Sequence, residues 1–186
     1  MTQKYFDFDS QGYLNTLAAT PDIFKRALEN GDYSPETRDI ITLLMLGTYP
    51  RSLTFPVEFT VTDGKKLRDV IEIRCCYSFL ISTRLRDIFR TEGLTGWQTY
   101  DVIVRKKNGE VIPGYCGFSV IGRCPCEVPQ SADVPDFFHP ESKARGFRCS
   151  QKVIDVLRKY KIKDFDISNP IYDTDGNTVS WERIKI

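Results

Sequence analysis

The sequence predicts an α+β fold: an antiparallel-rich sheet of hairpins covered by helices, with two related strand–helix–strand units and an N-terminal helical pair. Apolar residues first recur at helical spacing, then alternate from Ser52 onward around glycine turns. One pattern also returns without a gap: "FLISTRLRDIFRTEGLTGW" (Phe79–Trp97) aligns with "FRCSQKVIDVLRKYKIKDF" (Phe147–Phe165). Ser82 falls on Ser150, Asp87 on Asp155, Arg90 on Arg158 and Trp97 on Phe165. Leu85, Ile88, Phe89 and Leu94 fall on Val153, Val156, Leu157 and Ile162.

The helical pair occupies residues 1–50 after an aromatic lead-in. Thr20 is placed to cap a first helix, with Pro21 in its first turn and Gly31 past its end. Ser34 and Pro35 open a second, which Gly47 stops. Its run Ile40–Leu46 is apolar on most sides and predicts deep packing. Next, "FPVEFTVTDGKKLRDVIEI" alternates around Asp63–Gly64, a pair suited to a tight hairpin. Val57, Phe59 and Val61 share one face. Asn108–Gly109 and Asp175–Gly176 give two further hairpins.

In the repeated units, Leu85, Ile88 and Phe89, and again Val153, Val156 and Leu157, form the stripe by which each helix covers a common sheet. Arg84, Asp87 and Arg90, mirrored by Lys152, Asp155 and Arg158, lie on the solvated side. The chain reads as a single domain, 1–186, with repeat units at about 75–125 and 145–186. Between Cys124 and Arg145 the prolines predict a surface loop that Phe137 and Phe138 pin to the body.

The composition is that of a globular chain: with 186 residues, 41% hydrophobic and 27% charged, it is rich enough in apolar groups to exclude disorder. A formal charge of +1 provides no global attraction to nucleic acid or anionic lipid. The basic cluster "RKYKIK" therefore reads as a solvated face. "MTQKYFDFDSQGYL" lacks the basic-then-apolar order of a secretory signal, and no apolar run is long enough to span a membrane. The expectation is a cytoplasmic protein with reduced thiols.

Between Cys75 and Cys126 the text "ISTRLRDIF", "GLTGWQTYDVIV" and "NGEVIPGYCGFSVIGRC" resembles a bacterial family of otherwise uncharacterised proteins. Some of its members are described as immunity proteins against polymorphic toxins. Phe147–Phe165 resembles the family's second unit, but Asp164 stands where that pattern has a turn glycine, and "CPC" is extra. The resemblance implies a non-enzymatic, cofactor-free binding protein of the bacterial cytoplasm, partnered by a cognate protein toxin. It carries no catalytic residues.

Candidate partner contacts are Arg86 and Arg90 on the first repeated helix, with Phe137, Phe138 and His139 in the loop Pro125–His139. Two alternatives stay open. Cys124, Cys126, His139 and Cys149 offer zinc-type ligands, although Cys-Pro-Cys is not the usual Cys-x-x-Cys knuckle. A cysteine-dependent enzyme would pair Cys149 or Cys124 with His139 and either Asp133 or Asp136. "GYCGFSVIG" lacks phosphate-loop spacing, so its glycines predict a bulge or a close strand crossing. "DTDGNT" lacks the calcium-loop pattern: its terminal ligand position holds Ile184.

Overall fold

A computed structural model describes residues 4–10, 17–23, 35–49, 53–74, 78–125, 134–140, 146–172 and 178–186. Among them are fourteen strands and three helices, so the chain is mostly β. The α+β expectation of one hairpin sheet covered by helices is corrected to two large mixed sheets. By Cα proximity the chain divides into a terminal unit (Met1–Gln11, Phe89–Trp97, Val120–Ile186) and a central unit (Gly12–Ile88, Gln98–Ser119).

The terminal unit is built on a six-stranded sheet. It contains β1 (Tyr5–Ser10), β10 (Arg123–Cys124), β11 (Phe137–Pro140), β12 (Phe147–Ser150), β13 (Phe165–Tyr172) and β14 (Thr178–Ile184), in the order β10-β11-β12-β1-β13-β14. The aromatic lead-in is thus an interior strand. Asp7 lies opposite Arg148 on one side and Ser168 on the other. Tyr5, Phe6 and Phe8 are all buried. Phe8 packs among Phe137, Phe147 and Phe165, with ring centroids 5.4, 5.3 and 4.3 Å away. Alternation in "YFDFD" suits a strand, but its partners lie at the far end of the chain, where no local pattern points to them.

The central unit holds an eight-stranded sheet. Its strands are β2 (Ala18–Pro21), β3 (Val57–Asp63), β4 (Val70–Ile73), β5 (Ser78–Ser82), β6 (Trp97–Tyr100), β7 (Val102–Arg105), β8 (Val111–Ile112) and β9 (Tyr115–Val120), ordered β6-β9-β5-β4-β2-β3-β7-β8. The expected N-terminal helical pair is corrected here. Thr20 and Pro21 end β2 instead of opening a helix. Asp22 and Ile23 are helical, and residues 24–34 lie outside the described residues. The second member stands as α1 (Pro35–Leu46), with Gly47 at φ 68° closing it. Of its described apolar side chains only Leu44 is fully buried.

β2 also overturns the Asp63–Gly64 hairpin: it inserts between β3 and β4, antiparallel to one and parallel to the other. The alternation expected in β3 is seen, with Val57, Phe59 and Val61 buried. The Asn108–Gly109 hairpin is present, pairing β7 with β8, and Gly109 sits at φ 86°. β13 and β14 pair antiparallel; their turn, residues 173–177, lies outside the described residues. Gly117 marks a close approach, since an added Cβ would stand 2.0 Å from the Tyr100 ring.

Both repeated segments are helical: α2 (Thr83–Thr91) and α3 (Gln151–Lys159). Their flanking strands do not share a sheet. The strands flanking α2 belong to the eight-stranded sheet and those flanking α3 to the six-stranded one. What recurs is local geometry. Gly93 N–H donates to Arg90 O and Leu94 N–H to Phe89 O; Lys161 donates to Arg158 O and Ile162 to Leu157 O. Each pair is a Schellman closure with a left-handed residue, Gly93 at φ 60° and Lys161 at φ 56°. Lysine pays the Cβ penalty that glycine avoids.

Gly93 has no neighbour within 4 Å of an added Cβ, so a substitution there tests backbone strain alone. Gly93→Ala is expected to lower stability by about 1 kcal/mol, whereas Lys161→Gly raises it by up to about 1 kcal/mol. Urea denaturation midpoints of the two variants check both signs.

Candidate functional site

The structure moves most of the expected contact residues indoors. Phe137 and Phe138 are 0% exposed and His139 is 6% exposed, all in β11. The expectation of an exposed Pro125–His139 contact loop is therefore corrected for these three. Burial of two phenylalanines, together with backbone pairing to β12, outweighs the loop signal of the surrounding prolines. Residues 126–133, including Cys126 and Asp133, lie outside the described residues. Arg90 is exposed on α2. Arg86 is partly exposed, with Nε 2.8 Å from Asp87 Oδ1, and that hydrogen bond raises its pKa.

Of the residues named for zinc or thiol chemistry, Cys124, Asp136, His139 and Cys149 are buried. Cys124 lies opposite Pro140 in β10, and Cys149 lies between Phe6 and Phe137 in the sheet register. His139 Nδ1 is 2.9 Å from Gly146 O. Among the described residues, no three His, Cys, Asp or Glu side chains are grouped to hold a metal. Burial, reinforced by the charges of Asp7 and Asp136, pushes the Cys149 thiol well above its ordinary pKa. A thiol held neutral is a poor nucleophile.

Asp136 does not orient His139. It is 8% exposed. Its Oδ1 accepts from Ser150 Oγ at 2.7 Å, and its Oδ2 accepts from Thr95 N–H at 3.0 Å and Thr95 Oγ1 at 3.2 Å. Its carbonyl accepts from Ser150 N–H at 2.8 Å, and Lys152 Nζ stands 3.7 Å from Oδ2. Gly96 and Gly122 close in beside it: a Cβ at either would stand 2.0 or 2.1 Å from Phe137 O. Asp69 forms a counterpart in the central unit, accepting from the Ser82 hydroxyl and Arg84 through its side chain and from Ser82 N–H through its carbonyl. Ser82 additionally caps α2 through Leu85 N–H, whereas Ser150 gives no side-chain cap to α3. Ser150 is 0% exposed, so this Asp–Ser pair is architecture and not a nucleophile with its base.

The chemically prominent surface lies on β14, an edge strand. Trp181 is 57% exposed. Its indole N–H donates to Asp7 Oδ2 at 2.6 Å, reaching across β13 to β1. Asp7 Oδ1 in turn lies 3.3 Å from Nε of Arg148, which is 1% exposed. A buried guanidinium thus positions a carboxylate, which positions an exposed indole. Arg183 adds a second fixed side chain, its Nε 2.9 Å from Asp166 Oδ1. Ile171 of β13 is 43% exposed.

Sequence reasoning missed this site. The one signal was a tryptophan within the polar alternation of "TVSWERIKI", and nothing local indicated that β14 would form an edge. No protein-family model matches the chain, and no curated protein matches it.

Two measurements follow from this geometry. Asp136→Ala is expected to cost about 3 kcal/mol and Asp136→Asn about 1–2 kcal/mol, because the amide offers one acceptor oxygen where two are used. Lys152→Ala should change stability by less than about 0.5 kcal/mol; urea titrations of the three variants check that order. Cys149 in the native chain should react with a thiol reagent at pH 8 at least about 100-fold more slowly than in the unfolded chain, as read by peptide mapping.

Proposed function

We propose that this protein has a non-enzymatic protein-binding role, as an immunity protein that binds and occludes a cognate bacterial toxin in the cytoplasm. The observation that carries the reading is the exposed edge strand β14, on which Asp7 and Arg148 hold Trp181 in place. An edge strand offers backbone donors and acceptors to a partner's extended segment. Trp and Arg are the side chains that most often anchor an interface, and an anchor already fixed loses less conformational freedom on binding. The resemblance of Cys75–Cys126 to immunity proteins supplies the partner class, and occlusion is steric.

Among the described residues, no helix is long and apolar enough to cross a membrane, which is compatible with this placement. The buried, neutral Cys149 and the buried His139 give the cysteine-enzyme alternative no support.

The test is coexpression of the chain with the product of the adjacent toxin-like reading frame. The two are expected to co-purify, and Trp181→Ala should weaken the complex by at least about tenfold in a titration. A gene with no such neighbour, or a complex of unchanged affinity in Trp181→Ala, overturns the proposal or its surface respectively.

A further inference from the structure

The central unit has a pocket of about 260 Å³ that nothing above uses. Its walls include Ile23, Leu53, Pro56 and Val57, and its charged lining residues are Asp22 and Glu58. Among the described residues, no lysine, arginine or histidine lines it. Phe55, 38% exposed, stands beside it in sequence, with its ring centroid 5.2 Å from that of Tyr49 in edge-to-face contact.

The register explains why the two carboxylates line the same pocket. β2 and β3 run antiparallel with Pro21 opposite Phe59, so the next step along each chain brings Asp22 toward Glu58. Asp22 is held there by Thr60, whose Oγ1 donates to Oδ1 at 2.6 Å. Like charges facing each other across an antiparallel pair repel. Arg105 lies 3.6 Å from Glu58, with both side chains more than one third accessible, at 35% and 39%. A cation held in the pocket would face both carboxylates.

We infer that this pocket is a binding site for an arginine side chain presented by a protein partner. The apolar walls suit the methylene stem, and the two carboxylates suit the planar, multi-donor guanidinium. An anionic ligand meets two negative charges, and the volume is below that of most drug-sized ligand sites. The inference rests on the protein-binding reading in one respect only: that a polypeptide carries the arginine.

The test is an amide NMR titration of the full chain with Nα-acetyl-arginine methylamide, with the uncharged citrulline analogue as control. Saturable shifts are expected at Asp22, Ile23, Thr54 and Glu58 with a midpoint of about 1–10 mM, the range open to one exposed side chain. The citrulline analogue should give none, and Asp22→Asn and Glu58→Gln should each weaken the arginine response at least about fivefold. Asp22→Asn keeps an acceptor for Thr60; should it still fail to fold, Glu58→Gln decides alone. Absence of saturation, an equal response to citrulline, or an unchanged midpoint in the variants overturns the inference. Arginine binding without any toxin partner would instead remove the immunity reading and leave the pocket standing.

Discussion

A carboxylate withdrawn from water needs its oxygens occupied, and Asp136 meets that requirement with groups from two other segments. Ser150 brings the end of β12 and the start of α3, and Thr95 brings the turn after α2. The aspartate itself opens β11. Each bond is ordinary, but together they fix where β11 enters the sheet. Only with that fixed can Gly96 and Gly122 approach Phe137 so closely that no side chain fits at either position. Phe137 then meets Phe8, and the aromatic core of the terminal unit closes. Asp69 repeats the device in the central unit with Ser82 and Arg84, in a more exposed setting where less depends on it.

The same economy of buried charge creates the surface on β14. Arg148 is almost wholly enclosed, and a buried cation is tolerable only with a counter-charge nearby. Asp7 supplies that charge from the neighbouring strand and uses its second oxygen to hold the Trp181 indole. A stabilising ion pair thereby becomes a positioning device for an exposed aromatic. In the central unit the electrostatic situation is reversed. Asp22 and Glu58 are brought together by strand register, with Arg105 only loosely near one of them.

Features written in neighbouring residues were legible. The Asn108–Gly109 hairpin, the stripe of α3 and the alternation of β3 depend on turn chemistry and periodicity within a few positions. The structure adds that Lys161 takes the backbone conformation of Gly93. The glycines at 117 and 122 do mark close approaches, as their placement along strand text suggested. Phe137 and Phe138 were rightly read as pinning residues, but wrongly offered as contacts, because a residue that anchors a segment by burial cannot also present itself to a partner.

The sequence by itself determined the alternation of β3, the Asn108–Gly109 turn and the apolar stripe of α3, since these follow from backbone sterics and side-chain spacing over a turn or a strand. Only the tertiary structure decided that β1 lies between β12 and β13, that β2 separates β3 from β4, and that the strands flanking the two repeated helices belong to different sheets. It alone also brought Arg148, Asp7 and Trp181 into one chain of contacts. The reason is physical: strand partners and buried ion pairs are chosen by long-range burial and hydrogen bonding, which leave no periodic trace in the residues that take part.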